Sequence, residues 1–284
     1  MHDYTDFTLG LYEKGLPAEL GWPERLETAK KAGFDFIEIS IDESDERLAR
    51  LDWSLREKSA FMKAKADSGV FVPTMCLSGH QRFPIGSRYE EIRKRGMDIM
   101  EKAIRFASDT GIRIVQLAGY DSWYGEPGTA ETVRRFKENL AISLERASRL
   151  GVTLALETMG TPFLDSLEEI MGLVRHHDSP YLQAYPDIGN LTARNKNVRH
   201  EFGLAKGHIV AVHVKDTRKG EIRRVPFGRG TVDFADAFKA IKDSGFFGPL
   251  LIEMWADPRF DNQAEIEKAR KFVLDKMRQA WESG

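Results

Sequence analysis

The chain has 284 residues, 42% hydrophobic and 30% charged, with a formal net charge of −2. This balance excludes a disordered polymer, and no apolar run approaches the roughly 20 residues that a membrane-spanning helix needs. Near-neutral charge without Lys/Arg runs interleaved with aromatics also excludes a nucleic-acid groove. The opening MHDYTDFTLGLYEK lacks a basic segment followed by an apolar stretch, and the lone Cys76 cannot form an internal disulfide, so a cytoplasmic location is expected.

FTLGLYE reads as the first strand. After it a unit recurs: a helix-like stretch ends at glycine and a β-rich run follows at once. The unit is visible at AGFDFIEIS (Gly33), SGVFVPTMC (Gly69), TGIRIVQLAG (Gly111), LGVTLALE (Gly151), KGHIVAVHV (Gly207) and FFGPLLIEM (Gly248). Glycine suits the left-handed turn just past a helix. With YLQAYPD the strands number eight, apolar at nearly every position, as in a parallel sheet covered by helices. Amphipathic helices are expected over roughly 23–32, 46–68, 88–109, 130–149, 165–177, 197–206, 234–244 and 263–281. No linker or low-complexity segment interrupts the alternation. The predicted architecture is α/β, a single (β/α)8 TIM barrel spanning 1–284. Two long connections, about 78–87 and 214–233, follow strands and fall on the carboxyl face, where this fold carries its chemistry.

Four strand ends in the second half carry Glu157, Asp187, His213 and Glu253, separated by 30, 26 and 40 residues. One strand-plus-helix unit of such a barrel averages about 30 residues, so consecutive strands point these side chains at one centre. Singly, an acid at a strand end serves as a helix cap or an ion-pair partner. Three carboxylates buried together repel one another unless a cation or protons compensate. Oxygen and imidazole donors without thiolate suit one divalent ion, Zn or Mn ahead of Mg or Co. Residues two apart share a strand face, which adds Lys215, Trp255 and Met159 to the pocket. For Lys215 the plainer alternative is an ion pair with a neighbour such as Asp216, and for Trp255 it is rim packing.

The segments YEKGLP, GFDFIEISIDESDERLARLDWS, MCLSGHQRFPIGS, QLAGYD, YPDIGNL, HVKDT, VPFGRGTVDF and LIEMW resemble the L-ribulose-5-phosphate 3-epimerase (L-xylulose-5-phosphate 3-epimerase) family of the xylose-isomerase-like barrels. The resemblance runs from about residue 9 to the last helix. It implies a divalent ion at Glu157, Asp187, His213 and Glu253, and proton transfer by Glu157 and Glu253. Related epimerases of free sugars often carry His three positions after the second ligand, where this chain has Asn190; that departure favours a phosphorylated ketopentose.

The hydrogen on C3 of a ketose is acidic because C2 is a carbonyl, and a Lewis acid stabilises the resulting charge. Inversion at C3 then needs one carboxylate to take the proton while a second carboxylic acid returns one to the opposite face. Expected substrate contacts are His80 and Arg82 from the loop SGHQRFPIGS, then Asn190 and Lys215. Phosphate candidates are those first two, the Gly86–Ser87 amides, and Arg218, Arg223, Arg224 and Arg229. The glycines of FGRGTVDF read as a tight turn before a helix capped by Asp233. Competing readings are a metal-dependent epimerase or aldose–ketose isomerase for free sugars and, more remotely, a phosphodiesterase of the abasic-endonuclease type. A homo-oligomer is expected, with Trp22, Trp53 and Trp123 as candidate contacts.

Overall fold

Every apolar run named above becomes a strand in the computed structural model, which describes residues 3–282. The strands are β1 (Leu9–Tyr12), β2 (Phe36–Ile41), β3 (Phe71–Leu77), β4 (Ile114–Leu117), β5 (Thr153–Glu157), β6 (Leu182–Tyr185), β7 (Val212–Val214), β8 (Asp216–Arg218), β9 (Glu221–Val225) and β10 (Leu250–Ile252). Eight of them form one parallel sheet in the order β6-β5-β4-β3-β2-β1-β10-β7. Bridges Ala184↔Ile209 and Asp187↔His213 join its two ends, so the sheet closes into a barrel without free edges. The remaining pair, β8 and β9, is an antiparallel hairpin inside the long connection 214–233. Among the described residues no helix is long and apolar enough to cross a membrane.

Strand parity divides the core into two parts. In β2, Ile37, Ile39 and Ile41 join the large apolar layer between sheet and helices, whereas Phe36 joins Tyr12, Cys76 and Leu251 inside the barrel. The same alternation turns Glu38 and Ser40 inward, where both are fully buried. Gly10 of β1 makes room for this interior: a Cβ there would lie 2.1 Å from the Phe36 ring.

The helices follow the expected positions with three differences. The stretch 46–68 is broken into Asp45–Leu48, a 3-10 turn Ala49–Asp52 and Leu55–Ser68. The break has a local cause: Ser54 and Glu57 form a capping box that starts a new helix. A further short helix, Ile188–Ala193, follows β6 directly. Before the last strand, the helix Phe234–Ser244 stops at Gly245, φ 73°, rather than at Gly248. Gly248 instead lies under the Phe246 ring, which a Cβ would meet at 2.8 Å. Trp22 and Trp53 are half-buried, and both pack against Phe61 and the main core. Trp123 is half-buried beside Tyr89 and Tyr124.

Candidate metal and substrate site

β5, β6, β7 and β10 are four consecutive staves of the closed barrel, and each presents one acid or imidazole at its carboxyl end. Ligand atoms of Glu157, Asp187, His213 and Glu253 all lie within 4.8 Å of one another. Glu157 Oε1 is 3.0 Å from His213 Nδ1, and Gln116 Nε2 donates to Glu157 Oε2 at 2.5 Å. Asp187 divides its work between two oxygens. Its Oδ1 accepts the amides of Gly189 and Asn190 at 2.8 and 3.0 Å, capping the short helix that begins there. Its Oδ2 is buried and accepts no well-aligned hydrogen bond, although Lys215 Nζ stands 2.6 Å away as an ion-pair partner. The same ammonium donates to Glu253 Oε2 at 2.7 Å. Lys215 therefore pairs with the centre and not with Asp216, whose carboxylate accepts the amides of Thr217, Gly228, Gly230 and Val232. Those bonds identify FGRGTVDF as a structural turn, and Asp233 caps the next helix as expected.

Glu38 completes the arrangement and was not among the residues singled out from sequence. His213 Nε2 donates to Glu38 Oε1 at 2.9 Å, and the Tyr185 hydroxyl donates to Glu38 Oε2 at 3.0 Å. This contact turns Nδ1 toward Glu157 and the other ligands. A visible signal existed: in FIEISI, the charge at every-second spacing from Phe36 and Ser40 places Glu38 on the interior face.

The electrostatics show a centre short of positive charge. Four carboxylates surround one ammonium and one imidazole. Burial disfavours the His213 cation, yet Glu38 and Glu157 raise its pKa well above the usual imidazole value. Burial pushes Asp187 up to about 7 against the pull of Lys215, with repulsion from Glu253 and Glu157 adding to the rise. Burial also works against the Glu253 anion, but Lys215 and His213 draw its pKa down to about 2. A divalent cation fits this donor set, since it would add positive charge where four carboxylates share one ammonium and one imidazole, and so offset the burial and repulsion that raise the Asp187 pKa.

Above the carboxylates lies a cavity of about 450 Å³, within the range of small-ligand sites. Trp255, Met159, Lys215 and Asn190 line it. Asn190 Nδ2 donates to the Thr158 carbonyl at 2.9 Å, leaving a buried Oδ1 without a partner. Two expected contacts are absent from the cavity wall. His80 is buried with Nε2 at 3.1 Å from the Gly96 carbonyl, and burial lowers its pKa to about 4. Arg82 turns outward to Asp45 and the Phe83 ring. From their loop, Ser78 and Gln81 reach the cavity instead. Cys76 lines it too, as a thiol whose pKa burial raises well above the ordinary value.

The family model for xylose isomerase-like TIM barrels matches residues 26–276. L-ribulose-5-phosphate 3-epimerase UlaE of Escherichia coli (strain SMS-3-5 / SECEC) is 52% identical over 272 residues, covering 96% of this chain and 95% of that protein. Among solved structures, an L-ribulose 3-epimerase superposes with a TM-score of 0.76 at 22% identity, over 97% of this chain and 96% of that one. A D-tagatose 3-epimerase-like protein reaches a TM-score of 0.80 at 19% identity, over 97% and 99%. At those identities the two structures speak for the barrel alone. With half of its residues shared over nearly the whole length of that relative, the chain belongs to the L-ribulose-5-phosphate 3-epimerase family of the xylose isomerase-like TIM barrels.

Proposed function

We propose that the chain is a sugar-phosphate 3-epimerase, an isomerase that interconverts L-ribulose 5-phosphate and L-xylulose 5-phosphate by exchanging the proton on C3. The observation that carries this reading is the run of four staves with a glutamate at either end. Glu157 on β5 and Glu253 beyond β10 flank the cavity floor, with Asp187 and His213 between them. When bound by Glu157, Asp187, His213 and Glu253, a divalent ion, Mn or Zn ahead of Mg or Co, supplies positive charge where the deprotonated ketose concentrates negative charge.

The remaining steps belong to the chain's own groups. One glutamate takes the C3 proton through a carboxylate oxygen, and the other, protonated, delivers a proton to the opposite face. Reversing the two roles serves the opposite epimer. Gln116 orients Glu157 and Lys215 orients Glu253, so each carboxylate is held by a hydrogen bond to one of its oxygens. The orphaned Asn190 Oδ1 accepts from a sugar hydroxyl. Trp255 and Met159 wall the floor against water, which strengthens the field acting on C3.

The test follows the C3 hydrogen in deuterated water. Metal-loaded protein given L-xylulose 5-phosphate exchanges that hydrogen with solvent and inverts C3, and Glu157→Gln or Glu253→Gln slows the inversion by about a thousandfold or more, as expected when a proton-transfer group is removed. Inversion at the wild-type rate in either variant would rule out its role.

A further inference from the structure

A second cavity opens at the other end of the barrel, where the strands begin. It holds about 740 Å³, against about 450 Å³ for the cavity above the carboxylates, and both fall in the range of small-ligand sites. Its walls are the residues that lead into β10, β1, β2, β3 and β4, together with one face of the helix Leu55–Ser68. Phe36 lines it and belongs to a buried cluster with Tyr12, Cys76 and Leu251. Tyr12 and Cys76 face the carboxylate cavity, so one apolar plug stands between the two. Toward water the wall stays apolar, with Phe71 72% and Met62 45% exposed.

Three charged groups stand in that wall, and they do not balance. Asp35, the one acid, accepts the Leu9 amide through Oδ2 at 2.8 Å. Lys65 donates to the Thr110 carbonyl at 2.6 Å and lies over the Phe61 ring, but it pairs with no acid among the described residues. Burial alone lowers its pKa, with no carboxylate near enough to raise it. Arg113, exposed just before β4, makes neither a side-chain hydrogen bond nor an ion pair with any described residue. The ammonium thus keeps two free donors and the guanidinium five, beside an apolar surface broad enough for an aromatic ring. An anion with an apolar body answers both features at once, covering Met62 and Phe71 while its charged end faces the two cations. A sugar phosphate lacks that body.

We propose that the amino end of the barrel is a binding site for a small aromatic monoanion, a carboxylate or sulfonate held by Arg113 and Lys65 with its ring on Phe71 and Met62. The claim is independent of the epimerase reading, since it uses no residue of the carboxylate cavity. The probe is 8-anilinonaphthalene-1-sulfonate, titrated into metal-loaded protein and followed by its fluorescence. N-phenyl-1-naphthylamine, with the same rings and no sulfonate, is titrated beside it. Wild type binds the sulfonate at one saturable site, and saturating L-ribulose 5-phosphate does not displace it. Arg113→Glu weakens the sulfonate roughly 10- to 100-fold, as exchange of a charge-assisted contact for repulsion implies, and leaves the uncharged probe within about twofold. Phe71→Gln weakens both probes about 10-fold through lost apolar contact. Arg175→Glu, exposed on the helix Leu167–His177 and outside this wall, changes neither. The replaced side chains are exposed, and far-UV circular dichroism verifies that each variant stays folded. No saturable binding to wild type, displacement by the sugar phosphate, or an equal effect of Arg113→Glu on the two probes overturns the proposal. So does sedimentation showing that Phe71→Gln dissociates an oligomer, because a second copy would then occupy the face.

Discussion

Glu13, just past β1, and the Glu157–Asp187–Glu253 group are buried at the same end of one barrel, yet their surroundings carry opposite charge. Glu13 meets Arg25, Arg47 and Arg50 at 3.2, 2.9 and 2.8 Å, and its Oε2 accepts the Ser40 amide at 2.8 Å. Burial raises its pKa, but the three guanidiniums hold it below the ordinary carboxylate value. The centre at β5, β6, β7 and β10 has the reverse excess, with Glu38 adding a fourth carboxylate. One cluster is complete in itself and locks the loops after β1 and β2. The other is incomplete until a cation joins it, which is the mark of a binding site among buried charges.

Removing one member of the complete cluster is expected to cost most. Glu13→Gln leaves three guanidiniums without their counter-ion, and loss of about 3–5 kcal/mol in urea unfolding at pH 7 is expected. The pH dependence has a definite sign. Because folding lowers the Glu13 pKa below 4.5, its contribution is complete above that pH and is lost as pH falls through the folded value. The gap between wild type and variant should be flat from neutral pH down to that point and narrow below it. No gap at pH 7 would mean that the cluster is ornamental.

Metal removal is the next largest effect and touches the other cluster alone. Manganese or zinc at a hundredfold above its dissociation constant adds about 2.7 kcal/mol of apparent stability, reversed by a chelator. Glu13→Gln should gain the same increment, whereas Asp187→Asn, which can keep the cap through Oδ1, should gain little. Equal gains in all three proteins would break the contrast between the clusters.

The smallest expected effect sharpens it. Glu38 reaches the ion only through His213, so Glu38→Gln should weaken metal affinity by about 10- to 100-fold in a chelator competition. Affinity equal to wild type would make Glu38 a mere packing partner of Tyr185.

The amino-acid sequence determined the eight strands and the four strand-end donors, because both are matters of local order. A parallel strand announces itself by its apolar run, and a barrel's near-constant repeat carries successive ends to one centre. Parity along single strands likewise placed Lys215, Trp255 and Met159 at the cavity. What tertiary structure decided was every contact between elements distant in the chain. Glu38 meets His213 across 175 positions, and Lys215 chooses Asp187 and Glu253 over the adjacent Asp216. The same holds for His80 and Arg82, which looked like substrate contacts in a polar loop but are claimed by Gly96 and Asp45. Of the arginines in the connection after β7, the hairpin's fold brings Arg223 to the cavity and turns Arg218, Arg224 and Arg229 away. Loop side chains take their direction from packing and charge in three dimensions, and no local periodicity records it.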